Sequence, residues 1–93
     1  MYDVYLLRSR KDDGFYIGTS SNLRSRFKQH QDGESRATAN RRPWKLVYYE
    51  AYLNEDDAVG RERYLKSGSG RRFLKSPLKH YLGNEVNPKP REH

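Results

Sequence analysis

Hydrophobic and polar positions divide the chain into short segments of changing period. Residues 2–7 (YDVYLL) are rich in β-branched and aromatic side chains, which predicts a strand. Lys11-Asp12-Asp13-Gly14 follows, and Asp-Gly is a strong hairpin signal, so 15–19 (FYIGT) is the predicted return strand. Gly18, near its end, points to a close backbone approach or a bulge. Ser20-Ser21 offers an N-cap for a helix over 22–31, which Asp32-Gly33 ends. Residues 33–42 (GESRATANRR) are polar and aperiodic, a loop closed by Pro43. Residues 44–53 (WKLVYYEAYL) make the clearest strand pattern. Asn54 caps a second helix, with Glu55, Asp56 and Asp57 in the first turn where the macrodipole favours acids. That helix runs to about Lys66 and is broken by Ser67-Gly68-Ser69-Gly70. Residues 71–82 predict one or two short helical turns interrupted at Pro77. Beyond Gly83 the segment 84–93 has no apolar pattern and two prolines, and it is expected to be a disordered tail. The order β-β-α-β-α-α predicts an α/β (α+β) domain over 1–83, a small three-stranded antiparallel sheet flanked by helices.

Composition narrows the class. Ninety-three residues allow one domain, and no apolar run approaches the roughly 20 residues of a membrane span. Mean hydropathy is −1.21, yet eight tyrosines, three phenylalanines and a tryptophan supply a core, so the low value does not signify disorder. No apolar leader segment opens the chain. The absence of cysteine excludes disulfides and thiolate chemistry. Nineteen Lys and Arg against twelve Asp and Glu give a net charge of +7, which suits a polyanionic partner. The basic residues are grouped. Arg24, Arg26, Lys28, Arg36, Arg41, Arg42 and Lys45 face only Asp32 and Glu34 in their stretch, and Lys66, Arg71, Arg72, Lys75 and Lys79 face no acid.

Helical phase marks individual residues. Taking Ala58 as zero, Val59 falls near 100° and Leu65 near −20°, which predicts the buried stripe of the second helix. Glu62 falls at about 40°, inside that stripe. A carboxylate there needs either a salt-bridge partner, Arg26 or a surface lysine, or a cation, for which hard oxygen suits magnesium or manganese. Gly60 in the same helix suggests tight packing or space for a ligand. On the first helix Leu23 and Phe27 face the core, while Arg26 and His30 lie at the edge of the apolar stripe as neighbours four apart. Arg26 there is a phosphate fork or a snorkelling side chain. His30 is a packed histidine or part of a site. Tyr5 and Tyr16 belong to the two hairpin strands, and sequence leaves open whether they share a face.

The triplets Asp3-Val4-Tyr5 and Tyr16-Ile17-Gly18 resemble the pair that names the GIY-YIG nuclease superfamily. Asp3 stands where the first triplet has its first glycine. Arg26, His30 four residues later, and Glu62 on the next long helix resemble the family's arginine, histidine and metal-binding glutamate, and the segment 42–50 (RPWKLVYYE) is similar to its small stand-alone members. The likeness extends over residues 2–82. It implies the GIY-YIG fold and a metal-dependent endonuclease that hydrolyses DNA phosphodiesters, selecting by structure or strand rather than by sequence. It further implies catalytic roles for Tyr5, Tyr16, Arg26, His30 and Glu62, with one Mg2+ or Mn2+ ion on Glu62. Tyr5 is the expected general base, helped by His30, with Tyr16 the other candidate. Arg26 is expected to neutralise the non-bridging oxygens. Arg36, Arg41, Arg42, Arg71 and Arg72 are candidate backbone contacts. Trp44 and Tyr49 are either rim and core aromatics or stacking surfaces. A catalytically silent nucleic-acid-binding module of the same fold is the alternative. A protein partner for targeting, no membrane, and a bacterial cytoplasmic, nucleoid-associated location complete the expectation.

Overall fold

The strand β1 (Tyr2–Ser9) carries the unbroken apolar run Val4 to Leu7, all four buried, because it is central and covered on both faces. A computed structural model describes residues 1–86, with side chains described for 1–83. β2 (Phe15–Ser20) and β3 (Trp44–Tyr52) flank β1, both antiparallel, in the spatial order β2-β1-β3. The hairpin turn is tied by Ser9, whose buried hydroxyl accepts from Lys11 N and Asp12 N at 3.0 Å and donates to the Arg41 carbonyl at 2.6 Å. Asp13 takes a positive φ of 62° there, a conformation aspartate tolerates.

Helices cover both faces. α1 (Leu23–Gln31) lies on one, where Leu23 and Phe27 pack with Tyr5, Leu7 and Trp44. Asn22 caps it by accepting from Ser25 N, while Ser20 accepts from Asn22 N, so the cap is one residue past the expected serines. α2 (Glu55–Leu65), α3 (Gly68–Leu74) and α4 (Lys79–Val86) cover the other face, where Ala58, Leu65, Leu74 and Leu78 meet Val4, Leu6 and Ile17. Ser67 caps α3 instead of merely ending α2, and Pro77 lies between α3 and α4. The predicted α+β class and three-stranded antiparallel sheet are observed. The observed order is β-β-α-β-α-α-α, with a 3-10 turn at Ala39–Arg41 inside the predicted loop. In the segment expected to be a tail, 84–86 belong to α4, and 87–93 lie outside the described residues.

One phase-based expectation for α2 is corrected. Val59 is exposed, and the core-facing positions are Ala58 and Leu65. Gly60 has open space where a Cβ would stand, so packing does not require it. Beside Glu62, α2 turns a second charge to the sheet, Arg61, whose Nε and Nη2 bind Glu50 on β3 at 2.8 and 3.0 Å. Tyr48 and Tyr52 also donate to Glu50, because alternate strand positions share a face. The Arg61 guanidinium lies 4.4 Å from the Phe73 ring centroid. The glycine that packing does require is Gly70, where a Cβ would stand 2.0 Å from the Tyr64 carbonyl.

Candidate active site

Register decides what sequence left open. Tyr5 is opposite Gly18 and Leu7 opposite Tyr16, so the two tyrosines are diagonal neighbours on the α1 face. Tyr5 is 2% exposed, and its ring lies over Gly18. A Cβ at Gly18 would stand 2.6 Å from the Tyr5 hydroxyl and 2.8 Å from Cζ, so the glycine is a seat for the phenol. The close approach expected at Gly18 is thus observed.

His30 is fully buried on the last turn of α1, deeper than the edge position its helical phase suggested. Its Nε2 is 2.8 Å from the Tyr5 hydroxyl and its Nδ1 is 2.8 Å from Thr38 Oγ1. Thr38 is also buried and its hydroxyl donates to the Ser35 carbonyl at 3.4 Å. In the tautomer whose Nδ1–H donates to Thr38, Nε2 carries the lone pair and accepts the Tyr5 proton. The basic loop therefore has an anchored inner side. Trp44 Nε1 donates to the Thr38 carbonyl at 3.0 Å, and Gln31 exchanges two hydrogen bonds with the Trp44 backbone. Trp44 is buried in this role, which removes it as a stacking surface. Tyr16 is half-buried, its ring 5.2 Å from His30 in an edge-on contact.

Burial raises the Tyr5 phenol above its usual value, with the Arg26 guanidinium beside it pulling the other way and Tyr16 and Glu62 adding smaller effects. Burial, and then the positive charge of Arg26, lower His30, which keeps the imidazole neutral. Arg26 is half-buried and held by Gln29 Oε1 at 2.8 Å. Glu62 meets the α2-covered face of the sheet near the end of β2 and is half-buried, at 21% side-chain exposure. Its Oε1 accepts from Thr19 Oγ1 at 3.3 Å and its Oε2 pairs with the exposed Lys66 Nζ at 2.7 Å. Of the two sequence alternatives for its partner, Arg26 and a surface lysine, the lysine is the one hydrogen-bonded here.

Three polar residues escaped the sequence reading: Thr19, Gln29 and Thr38. Lys66 had a local signal, since Glu62 and Lys66 are an i,i+4 pair. Thr38 had none, being one polar residue in a polar loop.

Among the described residues no group of three or more acidic or histidine side chains is placed to hold a metal. The donor set at Glu62 still fits a hard cation of the magnesium kind, which takes one or two carboxylates and fills its remaining positions with water and substrate phosphate. The carboxylate is oriented by Thr19, and its Lys66 partner is a solvent-exposed, flexible side chain.

The five candidate backbone-binding arginines are not equivalent. Arg36, Arg42, Arg71 and Arg72 are exposed. Arg42 bonds the Ala39 carbonyl and Arg72 the Ser69 hydroxyl. Arg41 is committed: it grips Asp12 at 2.7 and 3.2 Å and lies 4.8 Å from the Trp44 ring centroid, fastening loop to hairpin. No helix among the described residues is long and apolar enough to cross a membrane.

Comparison with known proteins places this arrangement. The family model of the GIY-YIG catalytic domain matches residues 1–75. The chain is 42% identical over 64 residues to a UPF0213 protein of Clostridium perfringens, covering 68% of each chain. It is 34% identical over 73 residues to a UPF0213 protein of Staphylococcus haemolyticus, covering 77% of this chain and 88% of that one. The solution NMR structure of a UPF0213 protein from Bacillus halodurans is similar at a TM-score of 0.55 and 25% identity, covering 98% of this chain and all of that one.

Proposed function

Because the chain belongs to the GIY-YIG catalytic domain family, we propose that it is a metal-dependent endonuclease hydrolysing DNA phosphodiester bonds, selective for strand structure rather than sequence. The observation that carries this reading is the buried Tyr5 hydroxyl 2.8 Å from His30 Nε2, with Arg26 and Glu62 around it.

A phenol with its pKa raised by burial is a poor base by itself. The Tyr5–His30 bond supplies the remedy. As a water attacks phosphorus, its proton passes to the Tyr5 oxygen while the Tyr5 proton passes to His30 Nε2. No free phenolate forms. Thr38 holds the imidazole in the accepting tautomer through Nδ1. The resulting imidazolium is opposed by burial and by Arg26, so its proton passes back to the Tyr5 oxygen while the Tyr5 proton goes to the leaving oxygen, which completes hydrolysis and resets the base. Arg26, positioned by Gln29, faces charge developing on the non-bridging oxygens. Tyr16, packed on His30, orients the phosphate or the attacking water. Glu62 would hold the one Mg2+ or Mn2+ ion, which, when bound, neutralises charge on the phosphate and the leaving oxygen. Arg36, Arg42, Arg71 and Arg72 supply sequence-independent backbone attraction.

The test is cleavage of labelled single-stranded, duplex, flap and four-way-junction DNA in magnesium, manganese or EDTA, with Glu62→Ala alongside. Cutting that requires the metal and is lost in Glu62→Ala is the expected result. Binding without cutting of any substrate would replace this reading with that of a silent binding module.

A further inference from the structure

One stretch of the sheet has no helix over it among the described residues. On the α1 side, Asp3 is opposite Ala51, Tyr5 opposite Tyr49 and Leu7 opposite Leu46. α1 packs over the Tyr5 and Leu7 side chains and stops short of the outer half of β3. Tyr49 is 57% exposed, and Ala51 beside it is exposed as well. Met1 and Leu53, just beyond the Tyr2–Tyr52 pair, are 72% and 85% exposed. An antiparallel strand with one face on the core ordinarily turns polar residues outward. Here Tyr49 and Ala51 leave an exposed apolar strip on the β3 side of Tyr5.

We propose that this strip is a stacking platform for unpaired nucleobases of the strand whose phosphate meets Tyr5, with Tyr49 as its principal surface. The proposal rests on the nuclease reading above and names what that site selects. Three observations favour bases as the occupant. The first is proximity: Tyr49 is the direct cross-strand partner of Tyr5, about 5 Å away at Cβ on the side of β1 opposite the Gly18 seat, so a nucleotide next to the one at the Tyr5 hydroxyl can reach it. The second is charge, since a molecule of net charge +7 attracts a polyanion and repels a second copy of itself. The third is Asp3, half-buried in the row beside Tyr5 and Tyr49. Its carboxylate repels phosphates and accepts hydrogen bonds from the amino and imino groups of base edges, so it turns bases inward and the backbone toward Arg26. An aromatic face takes any base, which gives selectivity for unstacked strands without sequence preference.

The experiment measures binding in EDTA, where no cutting occurs, using single-stranded and duplex oligonucleotides that carry 2-aminopurine at successive positions. The full-length protein is compared with Tyr49→Ala and Tyr49→Phe. Single-strand binding should fall roughly tenfold or more in Tyr49→Ala and be restored in Tyr49→Phe, while duplex binding changes little. Fluorescence of one or two 2-aminopurine positions should be quenched by the parent and by Tyr49→Phe, and not by Tyr49→Ala. In cleavage assays Tyr49→Ala should raise KM and leave kcat nearly unchanged. Unaltered single-strand binding and quenching in Tyr49→Ala would overturn the proposal. So would a dimer in sedimentation that Tyr49→Arg dissociates, because the strip would then be an interface between copies. Binding is read without turnover, so failure of the nuclease reading and failure of the platform are separable.

Discussion

At the scale of single residues, the site depends on contacts a few tenths of an ångström from clash. Gly18 is the clearest case. Gly18→Ala forces the Tyr5 phenol off its seat and away from His30, because the new Cβ would stand 2.6 Å from the hydroxyl. We expect turnover to fall by roughly two orders of magnitude and stability by about 1–3 kcal/mol, read from kcat and from denaturant unfolding of the same sample. Tyr5→Phe separates chemistry from packing, since it keeps the ring and removes the proton path. It should lose at least ~100-fold in kcat with DNA binding intact. Near-normal turnover in Tyr5→Phe with a collapse in Tyr16→Phe would transfer the base to Tyr16. His30 adds a pH dependence. Its pKa in the folded protein lies below the usual value, so the unfolded chain takes up the proton first. The stability this group contributes is complete above about 6.5 and is lost as pH falls below it through the lowered folded value. Thermal melts from pH 7.5 to 5 should show a decline, and Thr38→Val should lower turnover by freeing the tautomer that Nδ1 now fixes.

At the scale of elements, α2 is fastened to β3 by the Glu50–Arg61 pair and its two tyrosines, and this fastening places Glu62 at the end of β2. Burial alone would raise the Glu50 carboxyl, but Arg61, Tyr48 and Tyr52 outweigh it and hold the group at about 2. The folded value is depressed, so the stabilisation is present above the ordinary value of 4.5 and is lost as pH falls from there toward about 2. Glu50→Ala should cost about 3 kcal/mol, because Arg61 is left facing the sheet without its acceptor. The same variant should reduce the acid-sensitive part of the unfolding curve between those pH values, leaving the share of Asp12, whose carboxyl its bond to Arg41 also holds low; circular dichroism can follow it. The helical phase of α2 marked Glu62 as turned inward, which its 21% side-chain exposure and its bond to Thr19 on β2 agree with, but passed over Arg61, which is turned to β3. Phase locates an azimuth within some tens of degrees, and Arg61 and Glu62 are only about 100° apart. The deciding contact is Glu50, which lies on a strand that sequence cannot register against a helix.

At the scale of the whole molecule, the basic residues divide by what they already hold. Log affinity for DNA should fall linearly with log salt, by about 0.7–0.9 for each phosphate neutralised. Arg36→Ala and Arg42→Ala should each reduce that slope by about 1. Arg41→Ala should leave the slope unchanged and lower the melting temperature, because Arg41 is spent on Asp12 and Trp44. Titrations of binding against salt, paired with melts, check both halves. An equal effect of all three variants on the slope would contradict this division.

Much of the molecule was legible before folding. Local chemistry placed the hairpin at Asp-Gly, the cap at Asn54, the strand at Trp44 and the apolar run of β1, because turns, caps and burial patterns act over a few neighbours. The two triplets, Arg26, His30 and Glu62 marked the family, because residue type and spacing persist in the chain itself. Tertiary structure decided the rest. Strand register set Tyr5 and Tyr16 on one face, the seat at Gly18 and the pairing of Tyr5 with Tyr49. Packing of a polar loop behind α1 brought Thr38 to His30 and so fixed which nitrogen accepts. Those contacts join residues far apart in sequence, and their geometry depends on the whole sheet being assembled, so no local pattern encodes them.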